Sequence, residues 1–166
     1  MAEINAFALL GQPVRFALDE EALEAGWRKA IAAVHPDKFA ARPAAERRVA
    51  EQWAGRINEA KEALTSPVSR AVTLLKMHGV DAGVQTDTRM DGAFLMQQML
   101  WREMAEDATS EAKRAELLAQ VDDARQKEIA ILTQALDVDS DWAVAREAVR
   151  RLMFIEKLRR DILSDV

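Results

Sequence analysis

The sequence predicts an all-α protein built as two helical units, and three observations predict it. Ala, Glu, Leu and Arg dominate the 166 residues, against six Gly and four Pro, and these are among the residues that lose least on entering a helix. Apolar side chains recur at three- and four-residue spacing along most of the chain. At 49% apolar composition the chain can also bury a core.

The elements follow in order. Asp19 suits an N-cap, Glu20 and Glu21 favour the positive end of the dipole, and Leu18 can staple onto Leu23. Leu23, Trp27, Ala30, Ile31 and Val34 then share one face, with Arg28, Lys29 and Ala32 on the other. Pro36 ends this helix, because the residue before a proline is pushed out of the α region. A second helix begins near Pro43, with Val49, Trp53, Ile57, Ala60 and Leu64 as its stripe, and stops at Thr65-Ser66-Pro67. Ser66 caps a third, carrying Val68, Ala71, Val72 and Leu75 and ending at Gly79. His78 falls in its last turn and reads as a helix-end residue, not a ligand.

Residues 80–90 lack periodicity and carry Gly, Thr and Asp, so they are expected to be a linker. Three more helices are expected beyond it. One runs from about Asp91 to Asp107. The next starts at Ser110, with Leu118, Val121, Ile129, Leu132 and Leu136 inward. The last starts near Asp139, with Ala145, Ala148, Val149, Leu152 and Ile155 inward. Short connections favour antiparallel neighbours, so residues 91–166 are expected to form a three-helix bundle.

Composition excludes several functions. The chain contains no cysteine, which rules out disulfides and thiolate-held zinc or iron–sulfur clusters. The two histidines lie 43 positions apart (78 minus 35), without ligand spacing. No resident metal or cofactor is expected. The opening MAEINAFALLG has neither a basic n-region nor a long apolar run, so a soluble cytoplasmic protein without a membrane span is expected. The net charge of −5 argues against non-specific nucleic-acid binding. That charge is uneven: residues 1–80 carry eleven bases and ten acids, residues 91–166 eleven bases and sixteen acids. Two units with different partners would explain the asymmetry.

The stretch VHPDKFA, residues 34–40, is the first candidate surface. Pro36 forces a turn, and Asp37 is expected to accept backbone N–H groups within it. His35 would project beside Arg28, Lys29 and Lys38, so a cation-rich face with a fixed carboxylate could dock on an acidic partner. No nucleophile, Gly-rich phosphate loop or third partner accompanies His35 and Asp37, so an enzyme is not expected and no residue is assigned a catalytic role. An amphipathic helix, HPDKF and a second amphipathic helix together resemble the J-domain, the module that stimulates the ATPase of DnaK-type chaperones. That resemblance covers about half the chain. It implies that His35, Pro36 and Asp37 trigger hydrolysis and that Arg28, Lys29 and Lys38 contact the chaperone's acidic surface.

The second candidate surface is AFLMQQMLWREM, residues 93–104. With Phe94 at zero, Trp101, Met104 and Ala105 lie within about 80° of it, whereas Leu95, Met96, Met99 and Glu103 lie between about 100° and 200°. Leu100 falls at a boundary. One broad apolar face suffices for a bundle helix, so Phe94 and Trp101 are expected in the core and the Leu/Met set is left over. Either the helix is buried on two sides, or the set is an exposed, adaptable docking patch rimmed by Glu103. In VRRLMFIEKL, Phe154 points about 200° from Leu152. It is expected to be exposed, joining that patch.

A J-domain followed by a short bundle, with AFLM in its first helix and VRRLMFIEKL in its last, resembles the HscB family of iron–sulfur co-chaperones from about Phe7 to Leu158. The resemblance implies a J-domain over residues 1–79, an antiparallel hairpin with flanking helices, and a client-binding bundle over 91–166. It also implies two partners: the scaffold IscU, bound through Leu95, Met96, Met99, Leu100, Glu103 and Phe154, and the ATPase HscA, to which the scaffold is delivered for cluster transfer. Leu100 stands where that family's patch is expected to carry an acid, and NAFALLG lacks the expected aromatic pair. A general J-protein delivering unfolded chains is the other functional reading, with the Leu/Met patch binding many apolar segments.

Overall fold

The structure is a computed structural model and describes residues 4–83 and 89–164. The described chain is helical, in two compact units, Met1–Leu74 and Leu75–Val166. Residues 84–88 of the expected linker lie outside the described residues.

The first unit holds α1 (Ala6–Leu9), α2 (Glu20–Ala33), α3 (Pro36–Phe39), α4 (Ala44–Thr65) and most of α5 (Pro67–Met77). Asp19 caps α2 as its position demands, its carboxylate accepting from the Glu21 N–H at 3.0 Å. Pro43 sits at the cap of α4, and Ser66 Oγ accepts from Ser69 N–H at 3.1 Å at the head of α5. Helices α2 and α4 form an antiparallel hairpin. Trp27 Nε1 donates to Asn58 Oδ1 at 3.0 Å, and Lys61 lies 3.5 Å from the Trp27 ring centroid while pairing with Glu24 at 3.3 Å. Phe7, Leu10, Phe16, Leu23, Ile57 and Leu64 are buried as the core. Arg70 is buried too, donating to the carbonyls of Phe16 at 3.0 Å and Leu64 at 3.1 Å. Gly26 is required by packing: a Cβ there would lie 2.1 Å from the Leu10 carbonyl oxygen.

Two expectations change here. Val49 does not join the core stripe. It is 51% exposed, and its smaller neighbour Ala50 turns inward. The connection between α2 and α4 contains a further helical turn, α3, because Pro36 ends one helix and is equally suited to open the next.

In the second unit, α6 (Gly92–Asp107), α7 (Glu111–Thr133) and α8 (Trp142–Ser164) form the expected bundle. Asp91 Oδ1 accepts from Phe94 N–H at 2.7 Å, Ser110 Oγ from Lys113 N–H at 3.2 Å, and Asp141 Oδ1 from Val144 N–H at 3.2 Å. The core around Phe94 and Trp101 includes Leu117, Val121, Ile155, Leu158 and Ile162. Leu117 is the deeply buried residue where Leu118 was expected; Leu118 and Ile129 are half-buried. The last helix starts at Trp142, not near Asp139. Gln134–Asp139 prolong α7 as a wider, π-type turn that ends on Ser140 at φ 50°.

Helices α7 and α8 are joined by antiparallel ion pairs: Asp122–Arg159 at 2.7 Å, Glu128–Arg151 at 2.8 Å, and Arg125–Glu156. Both ends of the expected linker are fastened to α8. Arg146 Nε donates to the Asp81 carbonyl at 2.9 Å, and buried Arg150 donates to those of Gly83 at 3.3 Å and Arg89 at 2.6 Å. His78 lies in the turn after α5 and stacks on Trp142, ring centroids 4.0 Å apart.

Candidate functional sites

The first surface forms at α3. His35 is the N-cap, and its Nδ1 accepts from the Asp37 N–H at 3.2 Å. An accepting Nδ1 leaves Nε2 to carry the proton of the neutral ring. This inverts the expected roles. Pro36 occupies the first helical position, so the amide needing a cap is that of Asp37 and the capping side chain is His35. The Asp37 carboxylate is thereby left to solvent, its side chain 93% exposed and 3.6 Å from Nδ1. Pro36, Lys38, Arg28 and Lys29 are also exposed. Arg28 is partly engaged with Glu24 at 3.5 Å. The result is a carboxylate and an imidazole displayed on one rigid turn, with three cations on the exposed faces of α2 and α3.

Sequence reasoning missed what lies beneath this turn. Phe39, half-buried, forms an apolar groove of about 360 Å³ with Val34, Val49, Ala50 and Trp53. Periodicity places Val49 and Trp53 on one inward stripe and gives no signal of this groove.

The second surface is on α6. Phe94 and Trp101 are buried, with ring centroids 6.3 Å apart. Leu95, Met96, Met99 and Leu100 remain 45%, 67%, 63% and 53% exposed, and Glu103 is exposed beside them. Four large apolar side chains on one exposed helix face are not needed by the core and leave a hydrophobic ridge. Phe154 departs from expectation. It is half-buried, packed on the core margin, and meets Phe94 edge to face. Counting angles from Leu152 assumed that α8 buries one side only. Arg150, Leu158 and Ile162 are buried as well, so the buried arc is wide enough to take in Phe154.

None of the described residues forms a His, Cys, Asp or Glu cluster able to hold a metal. Among the same residues, no helix is long and apolar enough to cross a membrane.

A helical hairpin presenting an exposed His-Pro-Asp turn has the arrangement that the sequence likens to a J-domain. Comparison with known proteins narrows that likeness to a family. The family described as the HSCB C-terminal oligomerisation domain matches residues 90–163. Over 165 residues the chain is 47% identical to the co-chaperone protein HscB homolog of Bordetella avium, covering 99% of this chain and 98% of that one. The HscB homolog of Burkholderia mallei is 48% identical, with coverage of 96% and 93%. Chaperone HscB from Vibrio cholerae superposes with a TM-score of 0.86 at 33% identity, covering 97% and 96% of the two chains. Human co-chaperone protein HscB gives 0.91 at 27% identity, covering 97% and 81%. The chain belongs to the HscB family of co-chaperones.

Proposed function

We propose that the protein is an adaptor in iron–sulfur protein maturation. Its bundle holds an IscU-type scaffold on the α6 ridge, and its J-domain, residues 1–79, brings that scaffold to a DnaK-type ATPase of the HscA kind and stimulates hydrolysis. The observation that carries this reading is the exposed ridge Leu95, Met96, Met99 and Leu100 on a helix whose other face is already buried. Methionine side chains are flexible and polarizable, suited to an apolar protein partner of irregular shape. Membership of a co-chaperone family supports the other half.

The two steps divide between the units. Arg28, Lys29 and Lys38 attract the acidic face of the ATPase and set its register, a long-range effect on encounter. The His35–Asp37 turn then meets it as a preformed shape: Pro36 and the Nδ1 cap have already met the ordering cost. Client affinity comes from burying the ridge, with Glu103 at its rim and the exposed part of Phe154 at its margin.

The test measures two activities on the full chain. Asp37→Ala abolishes ATPase stimulation and leaves scaffold affinity unchanged. Met96→Ala with Met99→Ala weakens scaffold binding and leaves stimulation by the unloaded co-chaperone intact. One activity lost in both variants would refute the division of labour. Equal capture of unrelated unfolded chains by the bundle would refute the dedicated client.

A further inference from the structure

Glu128 is the feature that the ion-pair ladder does not account for. Its Oε1 accepts from Arg151 Nε at 2.8 Å, but its Oε2 is buried and has no hydrogen-bond partner among the described residues. A buried carboxylate oxygen without a donor costs free energy, and such atoms in native folds call for an explanation. Glu128 lines a groove of about 360 Å³ between α6 and α7. Phe94, Gln97, Trp101, Gln120, Ala124 and Ile155 line it as well. Asp123 and Lys127 also line it and pair with each other at 3.0 Å.

We propose that this groove receives a basic side chain, arginine or lysine, from the same client that grips the ridge. The proposal rests on the ridge reading and adds a second point of contact to it. Two observations select a cation on an apolar stem. The walls of the groove are aromatic and aliphatic, matching the methylenes that Lys and Arg bury while keeping the charged end on polar groups. The buried acceptor left without a donor belongs to a carboxylate, whose bonds to cationic donors are the strong ones. The last torsion of a glutamate is soft, so the carboxylate can reorient to offer Oε2 to an incoming donor. Position selects the client as the source. Gln97 lies only about 60° around α6 from Leu100, so the groove runs along one flank of the ridge and a partner seated on the ridge passes its mouth.

Two measurements test this on the full chain. Blocked arginine (N-acetyl-arginine amide) titrated into labelled protein shifts the Trp101 indole and Ala124 amide resonances, whereas blocked norleucine does not, and Glu128→Gln weakens the effect. Gln97→Arg, at a half-exposed position, places a guanidinium in the groove and lowers scaffold affinity about tenfold, the scale of one charge-assisted contact. No arginine-induced shift at Trp101 or Ala124 overturns the groove, whatever the ridge does. Unchanged scaffold affinity in Gln97→Arg, alongside lost affinity in the Met96→Ala, Met99→Ala variant, overturns the groove and leaves the ridge reading standing.

Discussion

Phe154 meets Phe94 edge to face, ring centroids 5.8 Å apart and ring planes at 88°. Phe94 in turn meets Trp101 at 83°, so the three rings run from the bundle core to its margin. Each such contact adds about 0.5–1.5 kcal/mol beyond the area buried. Phe154 therefore serves packing before it serves any partner. Phe154→Ala is expected to destabilise the protein by about 2–3 kcal/mol, less than a fully buried Phe→Ala, and to weaken scaffold binding as well. Met96→Ala, at the most exposed ridge position, should change stability by less than about 0.5 kcal/mol while still weakening binding. Urea unfolding and titration calorimetry on the two variants separate the roles. A Phe154→Ala variant of full stability would remove the packing account.

The cationic faces of α2 and α3 make a prediction about salt. Exposed charges act over roughly 10 Å at 0.1 M ionic strength, so their effect on the ATPase should fall as salt rises. Lys29→Glu should raise the co-chaperone concentration needed for half-maximal stimulation and flatten its salt dependence. Folding stability should move by no more than about 0.5 kcal/mol, since the side chain is exposed. Stimulation measured across a potassium chloride series checks this. An unaltered half-saturation point would take Lys29 out of the interface.

Gly26 sits in mid-helix, where glycine ordinarily costs stability relative to alanine. Here the reverse is expected. An added Cβ meets the Leu10 carbonyl oxygen at 2.1 Å and the Gln12 Nε2 at 2.8 Å. Backbone cannot yield as a flexible side chain does, and Gln12 already bridges Leu10 and Ala22 through its amide at 3.0 and 3.1 Å. Gly26→Ala should cost about 1–3 kcal/mol, the range of overpacked sites, with faster amide exchange in α1 and α2. Gly55→Ala in α4 has nothing within 4 Å of the new Cβ and should be neutral or stabilising. Equal effects at the two glycines would deny the close approach.

Much of this was legible in the sequence because it is local. Asp19, Asp91 and Ser110 cap the helices their positions mark, and the apolar period separates buried Phe94 and Trp101 from exposed Met96 and Met99. What was not legible depends on the number of sides on which a helix is covered. Phe154 was expected outside because one buried face was assumed for α8, and Val49 was expected inside because α4 was assumed covered along its whole length. The His35 cap was hidden for a different reason: a proline both ends one helix and starts another, and sequence favours neither. The Glu128–Arg151 and Asp122–Arg159 pairs join residues 23 and 37 positions apart, beyond any local pattern.

The Glu128–Arg151 pair yields the last prediction. Both side chains are mostly buried, at 12% and 19% exposure, and Arg151 also lies 3.8 Å from Asp91, the cap of α6. Removing one partner strands the other charge in a poorly solvated place. Arg151→Met should therefore cost about 2–4 kcal/mol, toward the value for buried pairs, and should loosen the first turn of α6 as Asp91 loses its cation. Replacing both partners, Arg151→Met with Glu128→Leu, removes the charges together. Such double replacements are often neutral, so the double variant should recover most of the stability lost by Arg151→Met alone. It should not recover protection of the α6 amides, because the link to Asp91 is still missing. Denaturant unfolding and hydrogen exchange on both variants test the two halves separately: a double variant no more stable than the single one would mean that packing of the long side chains, not their charge, holds α7 to α8.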